Sequence, residues 1–347
     1  LLAVMKHVRF ATMDAVFVTT TVRAWPALRS LEGSDAVVDS FLDAGRALRR
    51  SGLGPRLIYV VGGGRGGEDD PEETLDIVEL YDPQAASWKQ LASLPNARYS
   101  HGCAALEGKI YVVGGIGEEG QQLDTGEVYD PQTDRWQPLA EIMSTLRCGF
   151  GLAAVSGKIY AIGGWDGVDR LQDVEAYDPQ LGSWAQVASM SGGRSSFATV
   201  VMDGKIYAMG GLANSDGPKV DTVEVYDPQA DSWQLVASMP EGRSSPAATA
   251  IGDKIYVTGG CDGDQNATRT VCVYDPQTDA WAQLASMRAA REDHTSTVVG
   301  GKLYVFGGRD ARGDIIVTAE VYDPASDSWT QGTSLTFSRF DHVAVAL

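Results

Sequence analysis

The residues that could do chemistry are few and scattered. Gly62-x-Gly64-x-x-Gly67 follows an apolar run, Leu57-Ile58-Tyr59-Val60-Val61, with a spacing that lets backbone approach a pyrophosphate. That chemistry needs a helix start behind the glycines. No helical pattern follows, and five related loops further along lack the spacing. Asp262-x-Asp264-x-Asn266 opens like a calcium loop, but Ala267 and Val273 stand where Gly and Glu are needed. His101, His294 and His342 could ligate a metal, yet they recur at one position of a repeating unit, which points to structure. Arg312-Gly313-Asp314 and the glycosylation triplet Asn266-Ala267-Thr268 would matter only outside a cell. Cys103, Cys148, Cys261 and Cys272 form no C-x-x-C pair and no disulfide framework, which fits a reducing, cytoplasmic setting. Cys148 and Cys261 fall in or beside variable loops, where a thiol could sense oxidants. No catalytic residue, cofactor or metal is expected.

The elements carrying these residues repeat. Tyr-Asp-Pro occurs at Tyr81, Tyr129, Tyr177, Tyr226, Tyr274 and Tyr322, at steps of 48 or 49 residues. Seven residues after each comes a tryptophan: Trp88, Trp136, Trp184, Trp233, Trp281 and Trp329. A Gly-Gly pair precedes each Tyr (Gly62, Gly114, Gly163, Gly210, Gly259, Gly307). An arginine follows each Trp (Arg98, Arg147, Arg194, Arg243, Arg291, Arg339). Periods of this length mark solenoids or propellers. One unit reads as four strands, a to d. Phe197-Ala198-Thr199-Val200-Val201 (a) turns through Asp203-Gly204 into Lys205-Ile206-Tyr207-Ala208-Met209 (b). Alternating Val223-Glu224-Val225-Tyr226 (c) follows. Asp227-Pro228 then turns into the strand carrying Trp233 (d).

Gly-Gly, Tyr-Asp-Pro, Trp, Met/Leu and Arg in this register resemble the Kelch repeat over residues 56–347. The resemblance implies an all-β fold, a six-bladed β-propeller with one four-stranded blade per repeat. Strand b of the first repeat starts at Arg56 with no strand a before it, and the chain closes on a strand a, Val343-Ala344-Val345-Ala346. The C-terminal strand is therefore expected to complete the first blade and remove the open edge.

Residues 1–51 lack the repeat. Ser34-Asp35 can cap a helix over Ala36–Arg50, and Asp14 can cap another through Phe17, Val18 and Val22. This short α-helical segment resembles the C-terminal part of a BACK domain, with Ala11 where Pro is common. It contains no signal peptide, and a start without Met suggests a fragment.

Antiparallel order puts the a–b and c–d turns at one end of the ring and the b–c and d–a loops at the other. The turns are short and uniform. The b–c loops vary, as a reading face does. Kelch-like family contact positions carried onto this chain are Trp165, Arg170, Arg309, Tyr99, Ser195, Ser244, Glu292, Phe340 and Asn266. Trp165, Tyr99 and Phe340 are expected as exposed aromatic anchors. The six d–a arginines are expected to hold loop carbonyls.

Formal net charge is −18, and residues 52–347 carry 21 Lys/Arg against 41 Asp/Glu. That balance disfavours nucleic acid and anionic membranes as partners. No apolar run approaches the roughly 18 residues of a membrane span. The resemblance implies a protein-binding, non-enzymatic role. Its first form is the substrate-recognition part of a cullin-RING (cullin-3 type) ubiquitin ligase adaptor, reading a polar or acidic segment of a substrate protein. Cullin itself would be held by BTB and BACK parts this stretch lacks. An actin-binding cytoskeletal propeller is the alternative, and a sugar-processing propeller enzyme a third. The BACK-like segment favours the adaptor.

Overall fold

The computed structural model describes residues 57–66, 73–213 and 219–347. The expected N-terminal helices lie outside them. Six antiparallel four-stranded sheets form the blades of a propeller. Blade IV shows the plan: Ala198–Met202 (a), Lys205–Met209 (b), Val223–Asp227 (c) and Ser232–Val236 (d), hydrogen-bonded in that order. The a strands of successive blades touch one another around a complete circuit: Gly102–Leu106, Gly151–Val155, Ala198–Met202, Ala247–Ile251, Thr295–Val299 and Val343–Ala346. They line a central channel.

Burial follows position. Strand b packs between neighbouring blades, so Ile206, Tyr207, Ala208 and Met209 are all buried, whereas the rim strand Ser232–Val236 is mostly exposed. That is why the b strands read as unbroken apolar runs.

Val343–Ala346 pairs antiparallel with Ile58–Val61, from Ile58 opposite Ala346 to Val61 opposite Val343. The C-terminal strand thus supplies the innermost strand of blade I. Leu57 and Leu347 exchange two backbone hydrogen bonds, of 3.2 and 3.1 Å, beyond the last strand pair.

The Tyr and Trp landmarks lock blade to blade. Tyr226 and Trp233 pack with ring centroids 5.1 Å apart. The Trp233 Nε1–H donates to the carbonyl of Ala188 in blade III. The Tyr226 hydroxyl donates to Asp231, whose carboxylate also accepts the Ala188 N–H. Asp134, Asp279 and Asp327 make the same strut. Each of these aspartates sits at positive φ, which Asp tolerates better than most residues.

Candidate functional site

The d–a arginines set the geometry of the loop end. Arg147, essentially without solvent exposure, donates to the carbonyl of Gly163 and to Glu175 of the same blade. Arg98, Arg194, Arg291 and Arg339 repeat this with Glu127, Glu224, Glu320 and Glu79. The expected carbonyl-holding role is therefore seen, with a buried glutamate added. That glutamate lies two residues before the Tyr in five of the six repeats, so aligning the repeats could have revealed it.

With the arginine anchored, the next residue pairs with the residue after Gly-Gly. Cys148 and Trp165 exchange backbone hydrogen bonds of 3.0 and 2.9 Å. Tyr99 does so with Ile116, Ser195 with Leu212, Ser244 with Cys261, Glu292 with Arg309, and Phe340 with Gly64. Both glycines take positive φ, and a Cβ on Gly164 would lie 2.6 Å from Phe150 Cβ, so only glycine fits beneath the loop.

Inside this ring lies a second one: Ser100, Gly149, Ser196, Ser245, Asp293 and Asp341, all left-handed. The N–H of Gly149 donates to Ser100, Ser196 to Gly149, Ser245 to Ser196, Asp341 to Asp293 and Ser100 to Asp341, each through the carbonyl of the neighbouring blade. These residues surround a cavity of about 130 Å³ in the channel mouth. Its wall is lopsided. Asp293 and Asp341 stand on one side, with Ser100 Oγ donating to Asp341 at 2.5 Å. Phe150, Phe197 and Pro246 stand on the other. Burial, and Asp293 beside it, hold the Asp341 carboxyl well above the usual carboxylate range.

The carried-over contact residues fall into three groups. Trp165 is 37 % exposed at the loop face. Arg170 pairs with it through the backbone, and its Nε donates to Ser195 Oγ in the next blade at 2.9 Å. These three form one patch. Arg309 lies over the Phe340 ring, 3.6 Å from its centroid, with Tyr99 meeting that ring edge-on at 6.1 Å. Phe340 is only 3 % exposed, against the expectation of an exposed anchor: its ring fills the space that Gly64 leaves, where a Cβ would lie 2.5 Å away. Tyr99 is half-buried, Ser195 and Ser244 are buried, and Glu292 is half-buried with its pKa raised by burial and by Asp293.

Asn266 misses the slot. The loop partner of Cys261 is Ala267, six residues on, whereas Trp165 meets Arg170 at five. Asn266 instead donates to the carbonyl of Asp264 within its own exposed loop. The residues in the Arg170 slot are Gln122, Lys219, Ala267 and Ile315. Counting could not find them, because the b–c loops differ in length.

The remaining candidate chemistries resolve into structure. Asp262, Asp166 and Asp310 each accept backbone N–H groups of their own loops. His101, His294 and His342 are buried in the same slot that Phe150 and Phe197 fill elsewhere, and the His101 ring abuts Gly62. Burial, with Arg98 and Arg291 nearby, pushes His101 and His294 down to about 3, so both are neutral.

Comparison with known proteins agrees with this geometry. The KLHDC2/KLHL20/DRC7 Kelch-repeats domain matches residues 53–237 and 196–342. Kelch-like protein 40 of Xenopus tropicalis is 34% identical over 171 residues, 49% of this chain and 27% of that protein. Human Kelch-like protein 33 is 35% identical over 127 residues, 37% of this chain and 23% of that protein. Alpha-scruin of Limulus polyphemus is 43% identical over 51 residues, 15% of this chain and 6% of that protein. The matched stretches thus span about a quarter or less of these relatives. The solved structure of YjhT superposes with a TM-score of 0.66 at 19% identity, covering 80% of this chain and 97% of that one, and shares the fold. With its six Gly-Gly, Tyr-Asp-Pro, Trp and Arg landmarks in register on six closed blades, the chain belongs to the Kelch-repeat family.

Proposed function

We propose that this propeller is a protein-recognition module, the substrate-binding part of a cullin-RING ubiquitin ligase adaptor of the cullin-3 type. The observation that carries the reading is the contrast between the two ends of the ring. One end bears varied loops with Trp165 exposed beside Arg170. The other bears uniform turns built on Asp-Gly, Ser-Gly and Gly-Gly pairs. An aromatic beside an arginine is typical of interface hot spots. Arg170, Arg309 and Lys219 on this face suit a partner segment with acidic side chains.

On this reading residues 1–51 are the end of a BACK-like domain, and cullin contacts lie in segments outside this chain. Affinity capture with the full-length gene product, probed for cullin, tests it. Capture of cullin by the full-length protein but not by residues 52–347 is the expected result. Failure of the full-length protein to bring down cullin would sink the adaptor reading. Co-sedimentation of the propeller with actin filaments tests the cytoskeletal alternative.

A further inference from the structure

The shortest polar contact to sulfur on the loop face joins two blades. Lys219 ends the b–c loop of blade IV, paired through its backbone with Leu212. Cys261 is the residue after Gly259-Gly260 in blade V, held by backbone hydrogen bonds to and from Ser244 of 2.8 and 3.0 Å. Lys219 Nζ lies 2.6 Å from Cys261 Sγ. Even an N–H···O bond sits at about 2.9 Å, and sulfur is the larger atom. A nitrogen and a sulfur come this close across a single bridging oxygen. Glu292 lies against the same thiol, and burial together with that carboxylate pushes the Cys261 pKa up, so the sulfur rests as the protonated thiol. Cys261 is 5 % exposed and Lys219 half-buried, so both are held in place rather than swinging in solvent.

We propose that Lys219 and Cys261 form an oxidant-driven covalent switch, a Lys–N–O–S–Cys bridge across the blade IV–blade V boundary. In the overall reaction the thiol, the amine and one dioxygen give the bridge and one water. The S–H bond, one N–H bond of the free amine and the O–O bond break, and N–O and O–S bonds form. Sulfur and nitrogen together lose four electrons, which the two oxygen atoms gain. If the lysine starts as ammonium, one further proton leaves to Glu292 or water. Two equivalents of a dithiol return four electrons and four protons, giving back thiol, amine and water.

The bridge has two consequences. It staples the loop ending at Lys219 to the adjoining blade, and it removes one cation from the partner face. Neither depends on which partner docks there. The other described thiols lack this arrangement. The Cys148 sulfur is directed at the Trp165 carbonyl, 3.6 Å away, and burial pushes that thiol up to about 12.

The test uses the native chain held in air-saturated buffer, then denatured, alkylated, digested and weighed. The expected product is a linked Lys219–Cys261 peptide pair, heavier than the sum of its parts by about 14 Da, one oxygen gained and two hydrogens lost. Dithiol treatment should abolish it. Lys219→Arg keeps the charge and should yield no linked pair, with Cys261 recovered alkylated. The proposal fails if folded wild-type chain yields Cys261 only as free thiol or as sulfur oxyacids with Lys219 unmodified. A linked pair about 2 Da lighter than the sum would be a direct S–N bond and would also overturn it.

Discussion

Arg243 and Cys272 occupy the places where every other blade joins a buried arginine to a buried glutamate. Arg98, Arg147, Arg194, Arg291 and Arg339 each reach a carboxylate at 2.5 to 2.8 Å. Arg243 is equally buried, at 3 % exposure, and keeps the Gly259 carbonyl and the Thr270 hydroxyl. Its nearest carboxylate is that of Glu241, exposed and 3.8 Å away.

A buried guanidinium without a close counter-ion is a cost that a carboxylate should relieve. Cys272→Glu is expected to stabilise the ring by roughly 1 to 3 kcal/mol, since uncompensated buried charge costs several. Urea unfolding at neutral pH measures it. A midpoint lower than the parent's would show that the thiol is packed too tightly to be replaced.

A second gap lies at the seam. Ala86 stands at φ 48° where Asp134, Asp231, Asp279 and Asp327 brace neighbouring blades. Among the described residues Trp88 Nε1 has no hydrogen-bond partner, and the Tyr81 hydroxyl turns to Thr333. Ala86→Asp should relieve the backbone and give the Tyr81 hydroxyl the carboxylate acceptor that Tyr226 has in Asp231, adding about 1 kcal/mol. The readout is the thermal midpoint, with Asp231→Ala expected to move it the other way.

His101 and His294 make stability depend on pH. Their folded pKa values, about 3, lie below the ordinary 6.5, so the unfolded chain takes up protons first. Stability should be full above pH 6.5 and fall as pH drops toward 3, by at most roughly 5 kcal/mol per histidine. Asp341 acts oppositely: its raised pKa makes protonation favour the fold as pH falls. Phe150 and Phe197 fill the histidine slot elsewhere, so His101→Phe should flatten the slope between pH 6.5 and 4. Urea titrations at several pH values would show an unchanged slope if the histidine titrates normally.

Trp165→Ala and Arg170→Ala should each weaken partner binding at least about tenfold, roughly 1.4 kcal/mol. Asp203→Ala, in an a–b turn at the other end, should leave affinity alone. Calorimetric titration of the captured partner distinguishes the two ends, and a weakening by Asp203→Ala alone would place recognition on the opposite face.

Blade number and strand order were legible because Tyr226, Trp233, Gly210 and Arg243 belong to sixfold sets whose spacing hardly varies. The closing strand was legible because the first repeat lacks a strand a and the chain's last strand has no b. The site was less so. Phe340 is an aromatic at a loop position, but its backbone bridge to Gly64 turns the ring under Arg309. Asn266 lost its slot to Ala267 because one added residue shifts the pairing. Lys219 and Cys261 are 42 residues apart, on neighbouring blades, and no local pattern announces a contact made only when blades IV and V pack.

Leu57 and Leu347 meet at the start of strand b, at the end of the ring away from the variable loops. Chain entering at Leu57 and chain leaving at Leu347 therefore share one anchorage, on the underside of blade I. A partner docked on the variable loops, as proposed, would meet the ring at the end opposite this anchorage. On that reading a tether attached beside Leu57 and a cargo on the loops would not compete for room, with the thickness of one blade between them.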